Sequence, residues 1–198
     1  WTTHMRFEKS LLEDQVWQDA KDSGCKYLHF GYESGNERVL RLMDKATTTE
    51  IMTKHLKYTA EAGIWNHCMG FFGFPGETRE EAWSSVQFLE QNKDYVHSLG
   101  FGTFDLGRHN PVAKHPEKFG VTAYKNPEWD LALDYYFTVK QGLSIEEAER
   151  VFEEFERNHN PGWDLRLFIR EYIFLYIARF GLQKLPDLQY RAAKIAGA

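Results

Sequence analysis

The sequence predicts an α/β protein whose strands run parallel, and three observations predict it. Residues 64–74 form a mostly apolar run, as strands do when a parallel sheet buries both their faces. Strand-like and helix-like stretches then alternate with short connections, the pattern of βαβ units. Finally, the helix-like stretches open on capping-box pairs and close on glycines, with Gly24 and Gly63 in equivalent places 39 residues apart.

The elements follow in order. Met5-Arg6-Phe7-Glu8 reads as the end of a strand. Ser10 and Glu13 have capping-box spacing, and Leu12, Val16 and Ala20 recur at four-residue intervals down one helix face. Gly24 is placed as a left-handed stop before a strand at residues 25–32. Ser34 and Glu37 repeat the capping spacing. Thr47 and Glu50 open a helix with Ile51, Met52, Leu56 and Ala60 inward, stopped by Gly63 ahead of the apolar strand. Thr78 and Glu81 cap a further helix with Ala82, Val86 and Leu89 inward, and residues 96–106 are again apolar-rich.

Residues 107–126 change texture. Turn formers and polar groups alternate there, so this is either a surface crossover or a substrate-facing lid. Trp129, Leu131, Leu133, Tyr135, Phe137 and Val139 alternate with period two, which predicts an extended segment. Ser144 and Glu147 cap a charged helix, Asn160-Pro161-Gly162 breaks it, and residues 163–180 predict a buried helix ended by Gly181. The expected organisation is therefore 1–126 as the α/β unit and 127–198 as an extended and helical appendage.

The totals exclude several classes. A chain of 198 residues with 42% apolar and 16% aromatic content supports a packed core, and nothing in it is low-complexity. A net charge of −5 argues against non-specific nucleic-acid binding. Two scattered cysteines form no disulfide framework and suit a reducing, cytoplasmic setting. The longest apolar run, residues 172–178, is far short of the roughly 18–20 residues that span a membrane, so no membrane partner is expected.

Two strand-to-helix corners stand where α/β folds place ligands, at the carboxyl ends of strands. One carries Glu33 beside a glycine-loosened bend, Gly31-Tyr32-Glu33-Ser34-Gly35. The other is Gly73-Phe74-Pro75-Gly76-Glu77-Thr78, where two glycines permit a sharp turn and Pro75 removes a backbone donor. Each also has a plainer reading, a surface glutamate in the first and a simple turn in the second. The eight histidines include no HExxH or zinc-finger spacing. His67 lies on the strand leading to the second corner and points either into the sheet's inner side or into the helix layer. Cys25 and Cys68 sit in apparent strands, where cysteine behaves as a small apolar residue. No GxSxG elbow, P-loop or GxGxxG occurs, and no catalytic residue is assigned.

The ordered pair of corners, with the intervening Arg38-Val39-Leu40-Arg41-Leu42-Met43-Asp44-Lys45 and Ala62-Gly63-Ile64, resembles the radical S-adenosylmethionine superfamily. More narrowly, it resembles the branch whose members often carry a cobalamin-binding domain before the radical domain. The resemblance implies a partial (β/α) barrel lacking its first strands. It implies S-adenosylmethionine as cofactor, with Glu33 and Ser34 at the ribose or ammonium and Gly73, Phe74 and Pro75 at the adenine. It also implies a four-iron cluster held by a CxxxCxxC loop. Cys25 and Cys68, 43 positions apart, are not that loop, so the cluster ligands are expected upstream, in a missing N-terminal part of the same protein, and no residue of this chain as a metal ligand. The expected chemistry is hydrogen abstraction by a 5′-deoxyadenosyl radical on a small-molecule or peptide substrate, with cobalamin-dependent methyl transfer as one outcome. The competing reading is a cluster-less binding or scaffold module.

Overall fold

The computed structural model describes residues 1–124, 133–159, 175 and 177–179. Four parallel strands lie in sequential order in one sheet: β1 (Thr2–Met5), β2 (Tyr27–Glu33), β3 (Trp65–Phe72) and β4 (Ser98–Thr103). Between them cross α1 (Asp14–Asp22), then α2 (Glu37–Leu42) with α3 (Thr49–Glu61), then α4 (Arg79–Gln91). A parallel pair needs a crossover of this kind, because the chain must return to the starting edge before it can run the same way again. This is the α/β architecture that the alternation predicts.

The period of two gives the sheet two different faces. Leu28, Phe30 and Tyr32 of β2 and Cys68 of β3 are fully buried in a core shared with Trp17, Leu40, Met52, Leu56 and Leu89. Each large apolar side chain buried in this way contributes about 1.5–3 kcal/mol. The opposite, inner face carries His29, Gly31, Met69 and His67, and it is less covered. Register places His4, His29, His67 and Ser98 side by side across the four strands.

Two predicted capping boxes form as read. Thr78 Oγ1 accepts from the Glu81 amide at 3.3 Å while Glu81 Oε2 accepts from the Thr78 amide at 2.9 Å. Ser144 and Glu147 make the same reciprocal pair. The other three slip. Asn36, not Ser34, caps α2, accepting from the Arg38 and Val39 amides, and Thr48, not Thr47, caps α3. Ser10 caps nothing, because Lys9–Leu11 forms a 3₁₀ turn and α1 begins only after Glu13. Spacing alone does not choose among adjacent polar residues. The cap goes to the one whose backbone is extended at the helix entrance, as Asn36 and Thr48 are.

Residues 107–124 hold more regular structure than the sequence suggests. They contain α5 (Pro111–Lys114), a 3₁₀ turn at Pro116–Phe119 and β5 (Val121–Tyr124). β5 pairs antiparallel with β6 (Tyr136–Val139), so the expected division after residue 126 falls between two paired strands. Within the predicted alternation Phe137 is buried but Leu133 is 77% exposed, and residues 129–132 lie outside the described residues. α6 (Ile145–His159) joins the helix layer, setting Ala148, Val151 and Phe155 against Phe72, Ala82 and Val86. The helix expected over residues 163–180 and its stop at Gly181 lie outside the described residues, apart from helical positions 175 and 177–179.

Among the described glycines, Gly35 has the least room for a side chain. A Cβ there would lie 2.3 Å from Tyr32 Oη, 2.8 Å from Phe88 Cβ and 3.0 Å from Ser85 Cα. Gly35→Ala is therefore expected to destabilise the protein by about 1–3 kcal/mol through overpacking. A lowered urea midpoint at unchanged slope checks this.

Candidate cofactor site

Because β2 and β3 run parallel, the bends that follow them share one rim of the sheet. Arg38, in the first turn of α2, ties the two together. Its guanidinium donates to the Gly76 carbonyl and pairs with Glu81 of α4.

The first bend holds Glu33 in an unusual backbone. Its φ is 61°, left-handed for a residue that is not glycine, and the β2–β3 register shifts between Gly31 and Glu33. A bulge of this kind re-aims one side chain and costs of order 1–3 kcal/mol where the backbone is left-handed. The Glu33 carboxylate folds back over Gly31, with Oε1 only 3.1 Å from where a Gly31 Cβ would be. There it accepts from Lys45 Nζ at 2.8 Å. Lys45 itself follows Asp44, a second left-handed residue at φ 55°. Glu33 and Lys45 line a cavity of about 580 Å³ whose other walls include His4, Arg6, His29 and Met69.

The remaining residues that the sequence reading assigns to the cofactor do not line this cavity. Ser34 is fully buried, its hydroxyl 3.0 Å from Ser85 Oγ and accepting from the Asn36 amide. The Gly73 amide donates to Glu77 Oε2 at 2.6 Å, and a Gly73 Cβ would lie 2.5 Å from Ala148 Cβ of α6. Phe74 is buried against Phe104 and Phe119, and Pro75 is buried as well. So the second bend spends its donors and its bare glycine on the fold, whereas the first presents a charged pair to open space.

Lys45 is the candidate ligand that reading missed. It lies twelve positions after Glu33 in a connection without periodicity, and only the left-handed turn at Asp44 brings its ammonium back to the carboxylate. His67 faces inward, with Nδ1 2.7 Å from Ser98 Oγ, which also accepts from Trp65 Nε1. Cys25 and Cys68 are fully buried, and burial pushes both thiols up. A core position away from the cavity and a disfavoured thiolate do not fit an iron–sulfur ligand. Among the described residues no group of three or more histidine, cysteine and carboxylate side chains could hold a metal ion.

Residues 2–89 match the Radical SAM superfamily. That segment is 88 of the 198 residues and runs from β1 to most of α4. An uncharacterized methyltransferase of Pyrococcus horikoshii is 31% identical over 93 residues, covering 46% of this chain and 19% of the relative. Cytidylyl-2-hydroxyethylphosphonate methyltransferase of Streptomyces wedmorensis is 26% identical over 176 residues, 83% of this chain and 32% of the relative. The chain thus spans no more than about a third of these relatives' length. Among solved structures, the radical SAM enzyme HemN, the coproporphyrinogen III oxidase of Escherichia coli, superposes with a TM-score of 0.57 at 15% identity. That match covers 79% of this chain and 31% of HemN. The radical SAM methyltransferase TsrM of Kitasatospora setae, with cobalamin and a [4Fe-4S] cluster bound, gives 0.53 at 18% identity over 76% of this chain and 30% of TsrM. These likenesses bear out the barrel-like fold.

Glu77 connects the second bend to stability. It is fully buried, and burial raises its carboxyl from the ordinary 4.5 to about 7 against the lowering effect of the Gly73 amide. The folded protein therefore holds this proton more tightly than the unfolded chain. Stability from this group is fully present below about pH 4.5 and is lost as pH rises through about 7, a change on the order of 3 kcal/mol. Glu77→Gln is expected to remove that dependence. Urea midpoints at pH 5 and pH 8 check it: the variant should gain on the parent at the higher pH.

Proposed function

We propose that this chain supplies the cofactor-holding and substrate-facing wall of a radical S-adenosylmethionine enzyme. The observation that carries the reading is the Glu33–Lys45 pair, set by left-handed backbones at Glu33 and Asp44 and lining the cavity. A charged pair 2.8 Å apart and partly exposed is easily exchanged for other partners. S-adenosylmethionine offers matching partners: a carboxylate for Lys45, and an ammonium or two ribose hydroxyls for Glu33, each a charge-assisted hydrogen bond. Ser34 then acts as a positioning residue, anchoring the bend to Ser85 so that Glu33 stays aimed at the cavity. The Gly73, Phe74 and Pro75 bend stands one strand over on the same rim and borders the nucleoside side.

When bound, the cofactor supplies the radical chemistry of the superfamily. This chain's residues orient it and exclude water. They do not fit the iron–sulfur cluster that belongs to that chemistry, in keeping with ligands contributed from outside these residues. Within the class, methyl transfer is the reaction best supported, since both relatives and TsrM are named methyltransferases, and cobalamin is the cofactor that TsrM holds. The scaffold alternative has no comparable support, because a scaffold has no use for a strained carboxylate opposite an ammonium.

Calorimetric titration with S-adenosylmethionine tests the site. Glu33→Gln and Lys45→Met are each expected to weaken binding about tenfold, equivalent to 1.4 kcal/mol. Equal affinity for the parent and both variants would remove this pair from the cofactor site.

A further inference from the structure

The cavity that Glu33 and Lys45 line is also lined by β1 and the residues after it. His4 is exposed there, and its ring lies face to face with that of His29 on β2, centroids 4.6 Å apart and planes within 17°. His29, itself buried, meets His67 of β3 edge-on at 5.4 Å. His67 is in turn anchored by its 2.7 Å hydrogen bond to Ser98 of β4. Three imidazoles from three strands thus form a backed platform whose last ring, that of His4, faces open space. Such a platform is pre-organised, because its rings are already fixed before anything binds. It is no metal site, as stacked rings do not converge their nitrogens on one point.

Arg6 follows two residues after His4 and also lines the cavity. Residues two apart on an extended chain share a face, about 6.5–7 Å apart at the rise of a strand. Arg6 is exposed and makes no ion pair among the described residues. A flat ring lying on His4 would therefore bring a substituent within reach of a guanidinium, the group best shaped to grip a carboxylate or phosphate.

We infer that the substrate is a planar aromatic or heteroaromatic ring bearing an anionic substituent, stacked on His4 and held by Arg6. This rests on the radical-enzyme reading and deepens it by naming the substrate class in the cavity that also holds the proposed cofactor contacts. The ring continues the His4–His29 stack, and the anion balances Arg6.

NMR of the histidine ring protons tests this directly, with the His4 signals assigned through His4→Leu. Benzoate and phenyl phosphate are the ring-plus-anion probes, and the stronger of the two identifies the anion. Phenol lacks the anion, and cyclohexanecarboxylate lacks the flat ring. At millimolar concentration the first two are expected to shift the His4 protons through the ring current, at least tenfold more tightly than either control. Arg6→Met should weaken them about tenfold. His4→Phe should keep binding while His4→Leu loses it, a rescue that a merely structural role would not show. Equal binding of cyclohexanecarboxylate, or no His4 response to either aromatic anion, overturns the proposal. Because Arg6 is exposed, its variant still decides the question if the His4 variants fold poorly. Loss of the S-adenosylmethionine response with the benzoate response intact refutes the cofactor reading instead, so the two failures are distinguishable.

Discussion

The site depends on how closely the bend after β2 approaches α4. Tyr32 donates its hydroxyl hydrogen to the Ser85 carbonyl at 2.8 Å, Ser34 meets the Ser85 hydroxyl, and the Gly35 amide donates to that same oxygen. One serine on α4 thus holds three positions of the bend, 32, 34 and 35, and leaves out only Glu33. With Tyr32 and Ser34 fixed on the helix side, the residue between them has little choice. Glu33 is forced into a left-handed backbone and points to the other face. The strain is maintained because the surrounding contacts over-determine it, which is the usual condition for a strained residue at a functional site.

The division of labour between the two bends follows from which face each serves. The bend after β3 has its donors taken by Glu77 and its open glycine filled by Ala148 of α6. The main-chain carbonyl of Glu77 also accepts from the Leu143 amide at 2.8 Å. This bend is a joint between sheet, α4 and α6. The bend after β2 is braced equally well from behind, but its front is left to solvent. Two corners of nearly the same local design therefore do different work, and the neighbours that pack behind them decide which.

Much of the fold was legible in particular residues. The four strands, the parallel alternation, the left-handed stops at Gly24 and Gly63 and the Thr78–Glu81 box all follow from short-range chemistry. The slips were also local. At α2 and α3 two nearby polar residues competed for one cap, and at residues 107–126 turn formers concealed a strand whose partner lies beyond them in sequence. A strand that is stabilised by pairing with a distant segment leaves a weak periodic trace of its own.

What the sequence determined by itself was the order of elements, the two glycine-bearing corners and Glu33 as a carboxylate at a strand end, because backbone preference and hydrophobic period act within a few residues. Only the tertiary structure decided that Glu33 faces a cavity, that Ser34 and Gly73 serve the packing, and that Lys45, His4 and Arg6 share the same space. Those outcomes turn on which side of a strand a side chain leaves and on what packs behind it. Both are set by contacts between residues far apart in the chain.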